Sequence, residues 1–99
     1  EWTEGLNLKA AEAALAASPG AYSAVATVHH ETTTGRLNDI SPLAALAEKF
    51  SVPVLVDAVS SFAAEDLDFK NVLAVAATGN KCVHAIPAIS FVLARTDVL

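Results

Sequence analysis

Apolar residues fall along this chain in blocks of two kinds, some with helical spacing and some continuous. Leu8 to Ala17 is alanine-rich and sets Leu8, Ala11 and Leu15 on one helical face, which predicts an amphipathic helix. Ser18-Pro19-Gly20 stops it. YSAVATV (Tyr22 to Val28) predicts a short buried strand, followed by a polar loop, HHETTTGRLND. Ser41-Pro42 reads as an N-cap and first-turn pair, and Leu43, Leu46, Ala47 and Phe50 then recur at helical spacing. PVLVDA (Pro53 to Ala58) and VLAVAA (Val72 to Ala77) are continuous apolar runs, the pattern of parallel strands covered on both faces. ISFVLA (Ile89 to Ala94) follows so closely that it predicts an antiparallel return rather than a helical crossover. The order of elements indicates a single α/β layer, mostly parallel, with one antiparallel strand and flanking helices.

Composition changes this picture in one respect. With 54% hydrophobic and only 17% charged residues, the chain is apolar for a domain of 99 residues, whose surface fraction is large. It opens on Glu1-Trp2 and ends on Asp97-Val98-Leu99, and it contains no methionine. These features read as a central portion of a larger domain, with faces that other segments cover. No uncharged stretch approaches the ~18 apolar residues of a membrane span. A net charge of −5 argues against a nucleic-acid surface. The single cysteine, Cys82, excludes an internal disulfide and a paired-cysteine metal site, and fits a cytoplasmic protein.

In open α/β sheets, ligands bind outside the carboxyl ends of the strands. Three polar groups fall at such ends: His29 to Thr34, Asp57, and Asn80-Lys81. Asp57 interrupts an apolar run and is expected to be at least half buried, either capping the turn after its strand or meeting a cation. Lys81 is the one cation in AATGNKCVHAIPAISFVLA, and burying an ammonium is costly unless it is paired or deprotonated. It is either a surface lysine or a desolvated amine able to act as a nucleophile. Pyridoxal phosphate asks for both parts together: a lysine for the Schiff base and a carboxylate for the pyridinium nitrogen.

VHHETTTGRLNDI, PVLVDAVSSFAAEDLDF and ATGNKCVHAIPAISFVLAR, in this order, resemble the class V aminotransferases, fold-type I pyridoxal-phosphate enzymes. Within that family the likeness runs to the branch acting on 2-aminoethylphosphonate and pyruvate, with the alanine– and serine–glyoxylate aminotransferases nearby. The resemblance implies that residues 1–99 are the central part of the large cofactor-binding domain. It also implies a homodimer in the whole protein, and small-molecule partners: an amino donor and an oxo-acid acceptor. By the same likeness Lys81 is the Schiff-base lysine and Asp57 the partner of the pyridine nitrogen. Thr32 lies near the cofactor's phenolic oxygen, Val59 packs on its ring, and Asn80 reaches its phosphate. His30 and Arg36 are weaker candidates for substrate contact. Cys82 is expected to be a packed small side chain, and Ser60 and Ser61 are left open between local bonding and the cofactor.

The sequence departs from the family pattern at Ala85 and Ala88, where glycines are usual, and at Asp39, where proline is usual. Alanine resists the positive φ that glycine allows. These departures raise two alternatives to a transaminase: a lyase-type outcome at the same lysine, and an inactive relic keeping only the fold. In either case the isolated segment is not expected to be a competent catalyst.

Overall fold

The computed structural model describes residues 4–98; Glu1 to Thr3 and Leu99, at the two chain ends, lie outside the described residues. Helix α1 (Leu8–Ala17) is capped by Asn7, whose Oδ1 accepts the Ala10 N–H at 3.0 Å, and it buries Leu15. Strand β1 (Val25–Val28) leads into a hairpin of β2 (His30–Glu31) and β3 (Arg36–Leu37). Helix α2 (Ser41–Lys49), β4 (Val54–Asp57), β5 (Val72–Thr78) and β6 (Ser90–Ala94) follow, before a short 3₁₀ turn at Thr96–Val98.

The sheet order is β1-β4-β5-β6, with β1, β4 and β5 parallel and β6 antiparallel to β5. This is the α/β layer expected, including its one antiparallel return. The core forms where α2 lays Ala44 and Ala47 against Val54, Val56, Val72 and Val75. Small alanines on the helix let its backbone approach the sheet closely, and the valines fill the space between.

Val72 and Val75 are both buried although strict alternation sends residues three apart to opposite faces. A register shift resolves the conflict. Val54 pairs with Val72 but Leu55 pairs with Ala74, so Leu73 is an extra residue that resets the phase of β5. Val75 and Ala77 then face the core, and Ala76 faces away.

Several expectations need correction. The first strand begins at Val25 rather than Tyr22, which is exposed. HHETTTGRLND is no plain loop, because His30–Glu31 and Arg36–Leu37 pair across a turn closed by Gly35 at φ 69°. The cap of α2 moves by one residue to Ile40, which offers no side-chain cap; Asp39 Oδ1 before it accepts the Ser41 N–H at 3.1 Å, and Ser41 and Pro42 form the first turn. The strands are covered on one face only. Ala26, Val28, Leu55, Asp57, Ala76 and Val92 lie exposed on the opposite side. The apolar character of the runs therefore exceeds what α2 alone can bury.

Candidate active site

Three strand ends meet at the carboxyl edge of the sheet, and a cleft of about 300 Å³ opens between them. β1 and the hairpin contribute Val28, His30, Glu31 and Thr32; the end of β4 contributes Asp57, Val59 and Ser60; the turn after β5 contributes Lys81. Parallel register makes this convergence necessary. Val28 sits beside Asp57, and Asp57 beside Ala76, so the three strands release their next residues on the same edge.

Asp57 ends its strand with Oδ1 accepting the Val59 N–H at 2.9 Å. One oxygen thus caps the turn, as one of the two sequence readings held, while Oδ2 has no partner among the described residues. The side chain is exposed, not half buried, because it points to the uncovered face. Lys81 is exposed as well, so no desolvated amine is found: the ammonium sits at the cleft rim.

The hairpin turn is held from within. Glu31 Oε1 accepts the Thr33 N–H at 3.0 Å and the Thr33 hydroxyl at 2.7 Å, which fixes the turn carrying Thr32. The backbone donor first, and the hydroxyl second, hold the Glu31 carboxyl below its ordinary pKa. An ionised carboxylate therefore lines the same cleft as Asp57 and Lys81.

The adjacent histidines part company. His29 is buried at 3% exposure, with Nδ1 2.9 Å from the equally buried Ser61 Oγ. Burial, the largest influence, lowers its pKa, and the Glu65 charge works against that. His30 turns to the cleft, where its Nδ1 lies 3.0 Å from Ser60 Oγ. Cys82 packs half-buried behind Lys81, its thiol donating to the Ser60 carbonyl at 3.5 Å.

Lys81, Asp57, Thr32, Val59 and His30 are thus brought together, while Asn80 and Arg36 are not in the cleft lining. Asn80 is exposed, its Oδ1 accepting from Thr78 Oγ1 at 2.7 Å. Arg36 lies across the hairpin from Glu31, with its guanidinium against Gly5. Glu31 and Ser60 line the cleft without having been assigned a role from the sequence. No sequence signal marked Glu31, because the side chains that ordinarily bond the backbone two residues on are the shorter Asp, Asn, Ser and Thr.

The loop after Lys81 folds back on itself. Ala85 N–H donates to Gly79 O at 2.7 Å, and a Cβ on Gly79 would stand 3.1 Å from that of Ala85. A side chain at Gly79 would push Ala85 back by a few tenths of an ångström, so glycine suits this close approach. Ala85 and Ala88 do not take positive φ; His84 does, at 57°. The two alanines therefore carry none of the backbone strain feared from the sequence.

The sequence matches the family described as Aminotransferase class-V over residues 3–99. It is 38% identical over 95 residues to a 2-aminoethylphosphonate–pyruvate transaminase of Salmonella paratyphi C, covering 94% of this chain and 26% of that protein. The chain thus spans about a quarter of the length of that curated relative. Among solved structures, pyridoxamine–pyruvate aminotransferase from Mesorhizobium loti superposes with a TM-score of 0.83 at 27% identity, covering 96% of this chain and 24% of its own. Alanine–glyoxylate aminotransferase from Nostoc sp. shares the fold, with a TM-score of 0.84 at 24% identity over 96% of this chain and 25% of that one.

Proposed function

The chain belongs to the class V aminotransferase family, and from that premise we propose that it is the central part of the cofactor-binding domain of a pyridoxal-phosphate-dependent transaminase. The reaction moves an amino group from a small amine such as 2-aminoethylphosphonate to pyruvate. One observation carries this reading. An amine, a carboxylate, a hydroxyl and an apolar wall, drawn from three strand ends, share one cleft of about 300 Å³.

The donor set fits the group. Lys81 offers an amine to attach an aldehyde, and Asp57 keeps Oδ2 for a protonated ring nitrogen after Oδ1 is engaged by Val59. Thr32 offers a hydroxyl to a phenolic oxygen, and Val59 an apolar surface to a ring face. Bound there, pyridoxal phosphate supplies an electron sink that makes the substrate C–H beside nitrogen acidic. Lys81 Nζ would be the attachment point and, once the incoming amine has released it, the base to carry that proton. Asp57 would hold a ring-nitrogen proton in place by its charge. Glu31, by gripping Thr33, keeps the Thr32 turn fixed. Asn80 lies beside the cleft, and its amide N–H groups remain for the phosphate. Lys81 is the one permanent cation lining the cleft among the described residues, too few for a phosphate and a carboxylate together. The isolated segment accordingly does not turn over substrate.

The test is a colour that can be fixed. Full-length protein given pyridoxal phosphate should turn yellow, and borohydride should bleach it and leave the cofactor on the Lys81 peptide. Lys81→Ala should abolish both. Colour surviving that substitution unchanged would overturn the assignment. Pairing 2-aminoethylphosphonate, serine and alanine with pyruvate and glyoxylate then identifies the donor and acceptor.

A further inference from the structure

We propose that Ser60 locks the His30 ring in the tautomer protonated at Nδ1, so that Nε2 accepts a proton from the amino donor entering the cleft. The proposal rests on the transaminase reading for the identity of that donor. Its tautomer half rests on hydrogen-bond accounting alone.

Ser60 Oγ lies 3.0 Å from the His30 carbonyl oxygen and 3.0 Å from His30 Nδ1. A hydroxyl has a single proton, and a carbonyl can only accept. The Ser60 proton therefore goes to the carbonyl, and Nδ1 must donate to Oγ. A neutral imidazole protonated at Nδ1 carries its lone pair on Nε2. His30 Nε2 has no partner among the described residues, and the ring lines the same cleft as Lys81 and Asp57.

The cleft holds a use for that lone pair. A primary amine reaches the site as an ammonium ion and cannot attack carbon until one N–H bond breaks, leaving the electron pair on nitrogen. Transfer to His30 Nε2 gives free amine and imidazolium, and the proton later returns to water or to the product amine. The balance needs no other reactant. The charged and titratable groups around His30 are Glu31, Asp57 and Lys81 in the cleft, with His29 beside it and Cys82 behind Ser60. The two carboxylates are weak bases at neutral pH, whereas an imidazole is suited to general-base work there.

Ser60 acts through His30 and is a positioning residue. Ring ¹⁵N spectra of the labelled full-length protein read the tautomer, and the signals that vanish in His30→Gln are those of His30. Nε2 should show the unprotonated-type shift in the native protein. Ser60→Ala should convert it to a tautomer mixture, and Ser60→Thr, which keeps the hydroxyl, should restore it. With the amine donor at neutral pH, His30→Gln should lower kcat/KM by about 100-fold, the range for a positioned acid–base group, and Ser60→Ala by less. Both deficits should narrow as pH rises and more donor is already free amine, which loss of packing would not produce. Protonated Nε2 in the native protein overturns the lock. An unchanged kcat/KM in His30→Gln, or a deficit that does not narrow with pH, overturns the acceptor role. Failure of cofactor to fix on Lys81 would instead sink the transaminase reading, while the tautomer measurement, which needs no turnover, still decides the lock.

Discussion

Two histidine–serine pairs stand side by side at the end of the sheet and face opposite ways. His29 and Ser61 are 3% and 0% exposed and join at 2.9 Å inside the core. His30 and Ser60 join at 3.0 Å, half-buried on the cleft. His29 and His30 follow each other between β1 and the hairpin, and Ser60 and Ser61 in the turn after β4. In each case one side chain goes to the core and its neighbour to the cleft, so one residue of offset separates a structural pair from a chemical one. Residue type and even pairing are the same in both; the face decides the duty. Substitutions on the cleft side should therefore cost activity at constant stability, and those on the core side stability at constant chemistry.

The largest expected separation comes from Asp57→Asn. Asparagine keeps an Oδ1 for the Val59 N–H, so the turn at the end of β4 stays intact while the charge is lost. Transaminase activity of the full-length protein should fall by at least ~100-fold, equivalent to about 2.7 kcal/mol in the barrier. Its thermal midpoint should stay within a degree or two of the native one, as expected for an exposed site. A large drop in the midpoint with activity retained would invert the assignment of the two faces.

Ser61→Ala probes the other side. It removes the partner of a buried imidazole and leaves that group unsatisfied, which should cost about 1–3 kcal/mol. Urea unfolding reads this directly. The kcat of the folded fraction should be unchanged, because Ser61 does not line the cleft. A loss of activity larger than the loss of stability would show that the two pairs are coupled.

The same geometry explains what was readable in the sequence. Continuous apolar runs marked β4, β5 and β6: β4 and β5 pack one face on α2, and the runs stay apolar on the face left exposed among the described residues as well. The rule that ligands gather at strand carboxyl ends brought His29 to Thr34, Asp57 and Asn80-Lys81 into one expected cluster, and the family resemblance added Val59; Thr32, Asp57, Val59 and Lys81 line one cleft. The hairpin escaped because strands of two residues have no periodicity, and its polar threonines read as loop. Arg36 and Asn80 escaped because a side chain's direction is set by local contacts: the cross-hairpin position opposite Glu31 for one, the Thr78 hydroxyl for the other. Burial of Asp57 was inferred from apolar neighbours in sequence, yet those neighbours alternate, and half of them face the uncovered side of the sheet; of the two readings of Lys81, the exposed one holds. The bulge at Leu73 is likewise invisible in a run where both phases are apolar.

The smallest effect, and the sharpest check on the buried pair, is the response to acid. Burial lowers the pKa of His29 in the folded protein, whereas in the unfolded chain it titrates near the usual 6.5. Below that value the unfolded state binds a proton that the folded state still refuses. Stability contributed by neutral His29 is therefore fully present above about pH 6.5 and falls as the pH drops from there to the depressed folded value. One proton limits the slope to about 1.4 kcal/mol per pH unit, and Glu65, which pulls the other way, keeps the actual slope below that limit. Urea unfolding between pH 7.5 and about 5 should show this loss in the native protein, and His29→Asn should remove it. His30, open to the cleft, makes the comparison: its charge adds to the lowering at His29 but less than burial does, so His30→Gln should reduce the acid slope without abolishing it. If the slope followed His30 instead of His29, the buried and chemical members of the two pairs would have to be exchanged.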